Sequence, residues 1–290
     1  MRIKIVVNPV AGRGRARRWL ASAVRSLVER GAEVEVVESR GRDHLIEIGR
    51  SASNERWDRV VACGGDGTLH LLIRDMNLQR VTLGILPSGS GDDFARLLGI
   101  PHDPEIAAEY LFSETVREVD VASANGIRFL GVASVGFDAE VARYAHDHAR
   151  FLRGSAIYLY SIFRVLPRFR PHRVIFERDG DRQEVEMMFA AIGNSSRYGG
   201  GIQVVPPAMI DDGLLDVCLV ERCSKLDLLR TLPLAYSGKH ITRPYVSLLR
   251  GRRFRFESEE HLEVFADGEP VTTTPVTLDL EKERLRIVVP

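Results

Sequence analysis

Residues 59–73 read RVVACGGDGTLHLLI. A short β-branched run, 59–63, stops at Gly64-Gly65-Asp66-Gly67-Thr68, and the apolar spacing of a helix takes over across 69–76. Strand, glycine turn and helix in that order form half of a βαβ unit. The glycines let the main chain come close to a ligand. Successive N–H groups then make a concave anion site, to which the following helix adds its positive end. A bare phosphate would repel the one carboxylate in this turn, Asp66, so its presence calls for a Mg²⁺ ion between them. The plainer alternative is an aspartate that caps the helix.

The same alternation extends on both sides. Residues 3–8, 33–38 and 82–86 read as strands; 15–30, 45–53 and 104–112 read as helices. In the first helix Trp19, Leu20, Ala23, Val24, Leu27 and Val28 share a face, with arginines opposite. Repeated β-α alternation predicts an α/β domain with a doubly wound parallel sheet. Its ligands would sit at the carboxyl ends of the strands, where every glycine-rich segment of this region falls. The texture then changes. Short strand patterns at 116–122, 128–134, 174–178, 185–192, 215–220, 254–256, 262–266, 276–280 and 285–289 are separated by turns such as Asn125-Gly126, Asp179-Gly180 and Asp212-Gly213. They predict a C-terminal antiparallel β-sandwich, interrupted by a helical stretch at 137–171. The boundary is expected near 118–120, giving domains 1–119 and 120–290.

Composition narrows the function. The chain has 290 residues, 44% apolar and 28% charged, which suits a globular protein with a large core. Forty acidic residues balance forty basic ones, 36 of them Arg, so a globally basic nucleic-acid binder is excluded. Genomic base composition is the bland account of the arginine excess; selection for phosphate binding is the other. Three cysteines, Cys63, Cys218 and Cys223, with no CxxC spacing, make neither a disulfide framework nor a zinc site. The N-terminal MRIKIVVNP has no apolar core of a signal peptide, and no apolar run reaches membrane-spanning length. The expectation is a cytoplasmic protein, with contact to the inner face of the membrane left open.

Two further turns resemble the first. Asn8-Pro9-Val10-Ala11-Gly12-Arg13-Gly14 follows the first strand, and Glu38 closes the second. This resembles a dinucleotide fingerprint, but Arg17 stands in place of the third glycine, which argues against hydride chemistry. Pro87-Ser88-Gly89-Ser90-Gly91-Asp92-Asp93-Phe94 follows the fourth strand. Ser90 offers a hydroxyl to phosphate, and Asp92 or Asp93 could give a metal its second carboxylate; alone, the segment is also an ordinary capped turn.

Taken in order, NPxxG, GGDGT and P-x-G-[ST]-x-x-D-F are similar to the diacylglycerol kinase catalytic domain, a family that includes bacterial diacylglycerol kinases and the related sphingosine and ceramide kinases. Gly136-Phe137-Asp138, Gly193-Asn194, Tyr198-Gly199-Gly200-Gly201, Pro206-Pro207-Ala208, Asp211-Asp212-Gly213-Leu214-Leu215-Asp216 and Asp267-Gly268-Glu269 continue the family order. GGDGT alone is shared with NAD kinases and phosphofructokinases; the ordered set is far more specific. The resemblance implies a kinase of NAD kinase/diacylglycerol kinase-like fold, with ATP in a cleft between an α/β domain and a β-sandwich. It implies nucleotide contacts from Asn8, Pro9, Gly12, Ser39 or Arg40, Gly64, Gly65, Asp66, Gly67, Thr68, His70 and Ser90. Asp66 and Asp93 would hold the catalytic Mg²⁺, largely through water, and Glu269 matches the acid proposed as general base. Asp212, with the carbonyls of Met209 and Leu214, matches a structural Mg²⁺ site of some bacterial members. Apart from the resemblance, Asp267-Gly268-Glu269 and Asp212-Gly213 read as plain turns.

Departures from the pattern carry information. Ser90 replaces a usual Thr and keeps the hydroxyl. Asp92 replaces a usual Asn and is expected to add negative charge beside the nucleotide. His70 and Leu71 stand where most bacterial members have an Asn-Glu pair, and Leu71 cannot replace a carboxylate.

Residues 140–173 carry Arg143, Arg150, Arg153, Arg164, Arg168, Arg170 and Arg173 against Glu140 and Asp147. Phe151, Leu152, Ile157, Tyr158, Leu159, Ile162, Phe163 and Leu166 interleave with them. Such a segment can lie on an anionic bilayer; it can also be a helix packed on the sandwich with a solvated arginine face. The reading is an ATP- and Mg²⁺-dependent lipid kinase acting on a diacylglycerol-like lipid at the membrane surface, without a nucleic-acid partner. A homodimer stays open. The rivals are a soluble small-molecule kinase, such as an NAD kinase, and a degenerate kinase fold that binds without turnover.

Overall fold

The structure, a computed structural model, describes residues 1–148 and 155–290. Contacts divide them into two units, Met1–Val121 with Lys282–Pro290, and Ala122–Glu281.

The first unit begins with β1 (Arg2–Val7), α1 (Arg15–Glu29), β2 (Glu33–Glu38), α2 (Arg42–Ala52), β3 (Arg59–Gly64), α3 (Asp66–Ile73), β4 (Thr82–Pro87), α4 (Asp93–Leu97), α5 (Pro104–Tyr110) and β5 (Val116–Val119). β2, β1, β3 and β4 lie side by side and parallel. β4 is buried along its whole length, and β1 and β3 in all but their first residue. That accounts for their mostly apolar runs, which in β1 are broken by Lys4, because helices cover both faces. β2 lies at the edge and is spelled EVEVVE, with charges that discourage further pairing. β1 is flanked by β2 on one side and β3 on the other, so the winding direction reverses between β1 and β3, and their turns leave side by side.

The second unit comprises β6 (Ala122–Ala124), β7 (Ile127–Phe129), β8 (Val132–Gly136), α6 (Phe137–His148), α7 (Ser155–Val165), β9 (His172–Arg178), β10 (Asp181–Gly193), β11 (Leu215–Glu221), α8 (Lys225–Ala235), β12 (Val246–Gly251), β13 (Arg253–Glu257), β14 (Glu263–Ala266), β15 (Glu269–Thr273) and β16 (Val276–Leu280). Its sheet runs β15-β14-β8-β10-β9-β13-β16-β6-β7, with β11 between β10 and β12, and the pairings are antiparallel. The long β10 changes partners along its length. Residues 181–187 pair with β9, and beyond a shift in register near Phe189 the strand pairs with β8 and β11. Such a switch turns a sheet back on itself. Phe129, Phe176, Phe254 and Phe256 fill the fold and are no more than 1% exposed.

The chain then returns as β17 (Leu285–Val288), parallel to β4 and antiparallel to β5 in the first sheet. This corrects the reading of 285–289 as a sandwich strand and of 120–290 as one continuous domain. An apolar run of four residues says nothing about which sheet it joins. The patterns at 116–122 and 128–134 each split in two, because the chain passes from one unit to the other at Asp120–Val121 and turns at Leu130–Gly131. α8, β12 and β15 carried no expectation. Arg150, Phe151, Leu152 and Arg153 lie outside the described residues.

Candidate active site

The turns after β1, β3 and β4 pack main chain against main chain. Asn8 N–H donates to Cys63 O at 3.1 Å, and Ser88 N–H to Gly64 O at 3.0 Å. A Cβ on Gly12 would lie 2.0 Å from Ser88 O, and one on Gly89 would lie 2.5 Å from Gly65 Cα. Glycine is therefore required by contact between turns, and at Gly12 also by φ of +54°. Side chains reinforce the joint. Asn8 Nδ2 donates to Thr68 Oγ1 at 3.0 Å, and its Oδ1 accepts from Val10 N–H at 3.3 Å. Arg15, at the start of α1, donates from Nη2 to Ser88 O at 3.4 Å and also to Gly89 O. Its role was missed because α1 carries several arginines with nothing to distinguish this one.

Asp66 occupies the first position of α3, yet it caps a different helix. Its Oδ2 accepts from Asp93 N–H at 3.1 Å and its Oδ1 from Phe94 N–H at 3.3 Å, at the start of α4. Burial pushes its carboxyl up to about 7, opposed by these N–H groups and assisted by the nearby charges of Asp93 and Asp92. Half-buried Asp66 crowds against buried Asp93, and such a carboxylate pair is a donor set suited to a hard cation with several waters. Asp92 behaves differently from expectation. Its side chain is turned inward: Oδ1 accepts from Gly89 N–H at 2.9 Å and Oδ2 lies 3.6 Å from His102 Nδ1. The added charge thus has partners within the turn.

Of the other expected nucleotide contacts, Ser90 is exposed at the loop tip and Pro9 is half-buried. Ser39 is buried, with its N–H on Val7 O, so the hydroxyl sits at the end of β2 beside β1. Arg40 is exposed and pairs with His44. His70 is 1% exposed, inside α3 with buried Leu69, Leu71 and Leu72 around it in sequence. Glu38 is held by Arg17 at 2.8 and 3.2 Å.

In the second unit Glu269 opens β15, directly after a two-residue hairpin turn. Asp267 and Gly268 both have positive φ, 51° and 82°, the form that matches the twist of paired strands. The Asp267 carboxylate accepts N–H groups from Leu130, Gly131 and Val132 at 3.0, 2.9 and 3.2 Å. Asn194 joins the same knot through Nδ2 to Leu130 O at 2.9 Å. These contacts fix the turn that carries Glu269, and they explain the Gly193-Asn194 and Asp-Gly-Glu motifs in physical terms. Asp212 accepts Leu214 N–H on Oδ1 at 3.1 Å, and Met209 is exposed.

Residues 2–124 match the model of the diacylglycerol kinase catalytic domain, and residues 131–289 match that of the YegS C-terminal NAD kinase beta sandwich-like domain. Diacylglycerol kinase of Mycobacterium tuberculosis (strain H37Rv) is 30% identical over 299 residues, covering 100% of this chain and 95% of its own.

The chain belongs to the diacylglycerol kinase family.

Diacylglycerol kinase of Bacillus subtilis (strain 168) is 26% identical over 271 residues, covering 92% of this chain and 89% of its own. A solved structure from Bacillus anthracis str. Sterne, assigned to the same kinases, superposes with a TM-score of 0.84 at 26% identity, covering 100% of this chain and 97% of that one. This diacylglycerol kinase family member is therefore a kinase, with the α/β and antiparallel β units of its relatives. No helix among the described residues is long and apolar enough to cross a membrane.

Proposed function

We propose that the protein transfers the γ-phosphoryl group of ATP, with Mg²⁺, to a hydroxyl of a diacylglycerol-like lipid. The observation that carries this reading is the joint of three glycine turns at the strand ends of the first unit, with Asp66 at its centre. Phosphoryl transfer asks a protein mainly for positioning and for charge stabilisation, and main-chain N–H groups in close-packed turns supply both without reorganising. In this reading the turns hold the phosphates and Ser90 adds a hydroxyl. Asp66 and Asp93 would hold the cation, which when bound would supply charge neutralisation at the transferred group. Glu269 accepts the proton of the lipid hydroxyl as its oxygen bonds to the γ-phosphorus. The bond to the β-phosphate oxygen breaks, and ADP leaves.

The lipid side rests on α7. Tyr158, Ile162, Val165 and Leu166 pack into the second unit, whereas Leu159 and Phe163, one turn apart, are 54% and 57% exposed beside Arg164. Apolar side chains pointing outward beside a guanidinium suit an anionic bilayer surface, and we place the protein in the cytoplasm with this face toward the membrane. The test is incubation of pure protein with γ-labelled ATP, Mg²⁺ and a total lipid extract, followed by identification of the labelled product. Label in a phosphorylated diacylglycerol-like lipid is expected. Label in NAD without lipid, or ATP binding with no labelled product, contradicts the reading.

A further inference from the structure

The segment matched to a structural Mg²⁺ site already holds a cation of the chain's own. β11 and β12 pair with Asp216 opposite Arg250, so the two side chains stand together on one face. Asp216 is 4% exposed, and a buried carboxylate needs a charged partner. Arg250 meets it with the fork of its guanidinium, Nε to Oδ1 at 2.9 Å and Nη2 to Oδ2 at 3.0 Å. The same Nη2 donates to Pro207 O at 3.1 Å and lies 3.4 Å from Asp212 Oδ2. That oxygen is buried and makes no hydrogen bond, while Oδ1 is taken by Leu214 N–H at 3.1 Å.

One planar cation thus spans two strands and the 207–212 segment. Mg²⁺ requires near-octahedral oxygen ligands at about 2.0–2.1 Å and sheds its waters reluctantly. An ion on Asp212 would sit against a fixed positive charge, on a carboxylate with one oxygen already engaged. From this we infer that Arg250 is the resident cation of the 207–216 segment, and that the segment holds its conformation without a divalent ion. A lysine would not be equivalent, since an ammonium is a point charge that cannot grip Asp216 with two parallel bonds while also reaching Pro207 O. The inference concerns the fold of the second unit and does not depend on the kinase reading.

The test uses the full chain, stripped with EDTA, and follows thermal unfolding with and without MgCl₂ for the wild type, Arg250→Gln and Asp212→Asn. Any rise of the wild-type midpoint in Mg²⁺ over EDTA should be kept in Asp212→Asn to within about 1 °C. Arg250→Gln should melt a few degrees lower, about 2–5 °C, because buried Asp216 loses the half-exposed guanidinium that pairs with it. A wild-type midpoint that rises with Mg²⁺, with the rise lost in Asp212→Asn, would overturn the inference, as would an Arg250→Gln midpoint equal to that of the wild type. A rise that persists in Asp212→Asn places the ion elsewhere and leaves the inference standing. If Arg250→Gln does not fold, Arg250→Lys replaces it, and a wild-type midpoint in that variant counts against the inference.

Discussion

The Asp66 carboxylate accepts two N–H groups at the start of α4 and crowds against Asp93. Replacing it with Asn turns an NH₂ group toward one of those N–H donors. We expect Asp66→Asn to abolish phosphoryl transfer and to leave the fold intact, because losing a charge crowded by Asp93 and Asp92 offsets the lost hydrogen bond. Thermal unfolding checks the second part: a variant that no longer folds would show that the capping role outweighs the chemical one. Asp267 acts at one remove, by holding the turn that bears Glu269. Asp267→Ala should lower kcat at least tenfold while leaving the KM for ATP within about twofold, since misplaced groups cost rate steeply. A variant with unchanged kcat would remove this positioning role. Glu269 and Asp66 stand out in the sequence because each lies in a short motif. Asp267 as an anchor does not, since its partners stand more than 130 positions earlier in the chain.

His172 links three segments: its Nε2 lies 3.3 Å from Glu140 Oε1 on α6, and its Nδ1 2.7 Å from Glu260 Oε2 ahead of β14. The bond to Glu140 raises its pKa most, burial opposes this, and Glu260 adds to the rise. With the folded pKa above the ordinary value of about 6.5, the stabilisation is complete below that value and is lost as pH rises through the folded pKa. The unfolding midpoint should therefore decline as pH rises above about 6.5. Glu140→Gln combined with Glu260→Gln should flatten that decline; an unchanged slope would assign it to other groups. At this scale the sequence spoke clearly where periodicity was strong, as in α1 and the buried runs of β1, β3 and β4. It was silent on β12, whose side chains are mostly half-buried or exposed, and on β15, whose start is set by a turn rather than by apolar alternation. α8 contains Pro233, which weakens the signal of a continuing helix.

Across the molecule, the chain crosses twice between its units, and the second crossing delivers β17 into the first sheet between β4 and β5. Ile287 is fully buried there. Ile287→Ala should cost roughly 3 kcal/mol, within the range for removing a buried aliphatic side chain, and should weaken nucleotide binding by loosening a sheet far away in sequence. A midpoint within about 1 °C of wild type would contradict that placement. Fold class and the order of motifs were readable because they rest on local patterns. The return of β17 was not, since strand pairing between distant segments leaves no local mark.

The claim on which the account turns is that the amide joint with Asp66 and the turn with Glu269 serve one reaction. It is tested most directly by transfer of label from γ-labelled ATP to a diacylglycerol in anionic vesicles with Mg²⁺, comparing wild type, Asp66→Asn and Glu269→Gln at equal folded concentration. The account predicts labelled lipid from the wild type and a loss of at least 100-fold in each variant, of the size general-base catalysis contributes, about 10²–10⁴-fold. Wild-type rates in either folded variant, or a wild type that labels no lipid, would contradict it.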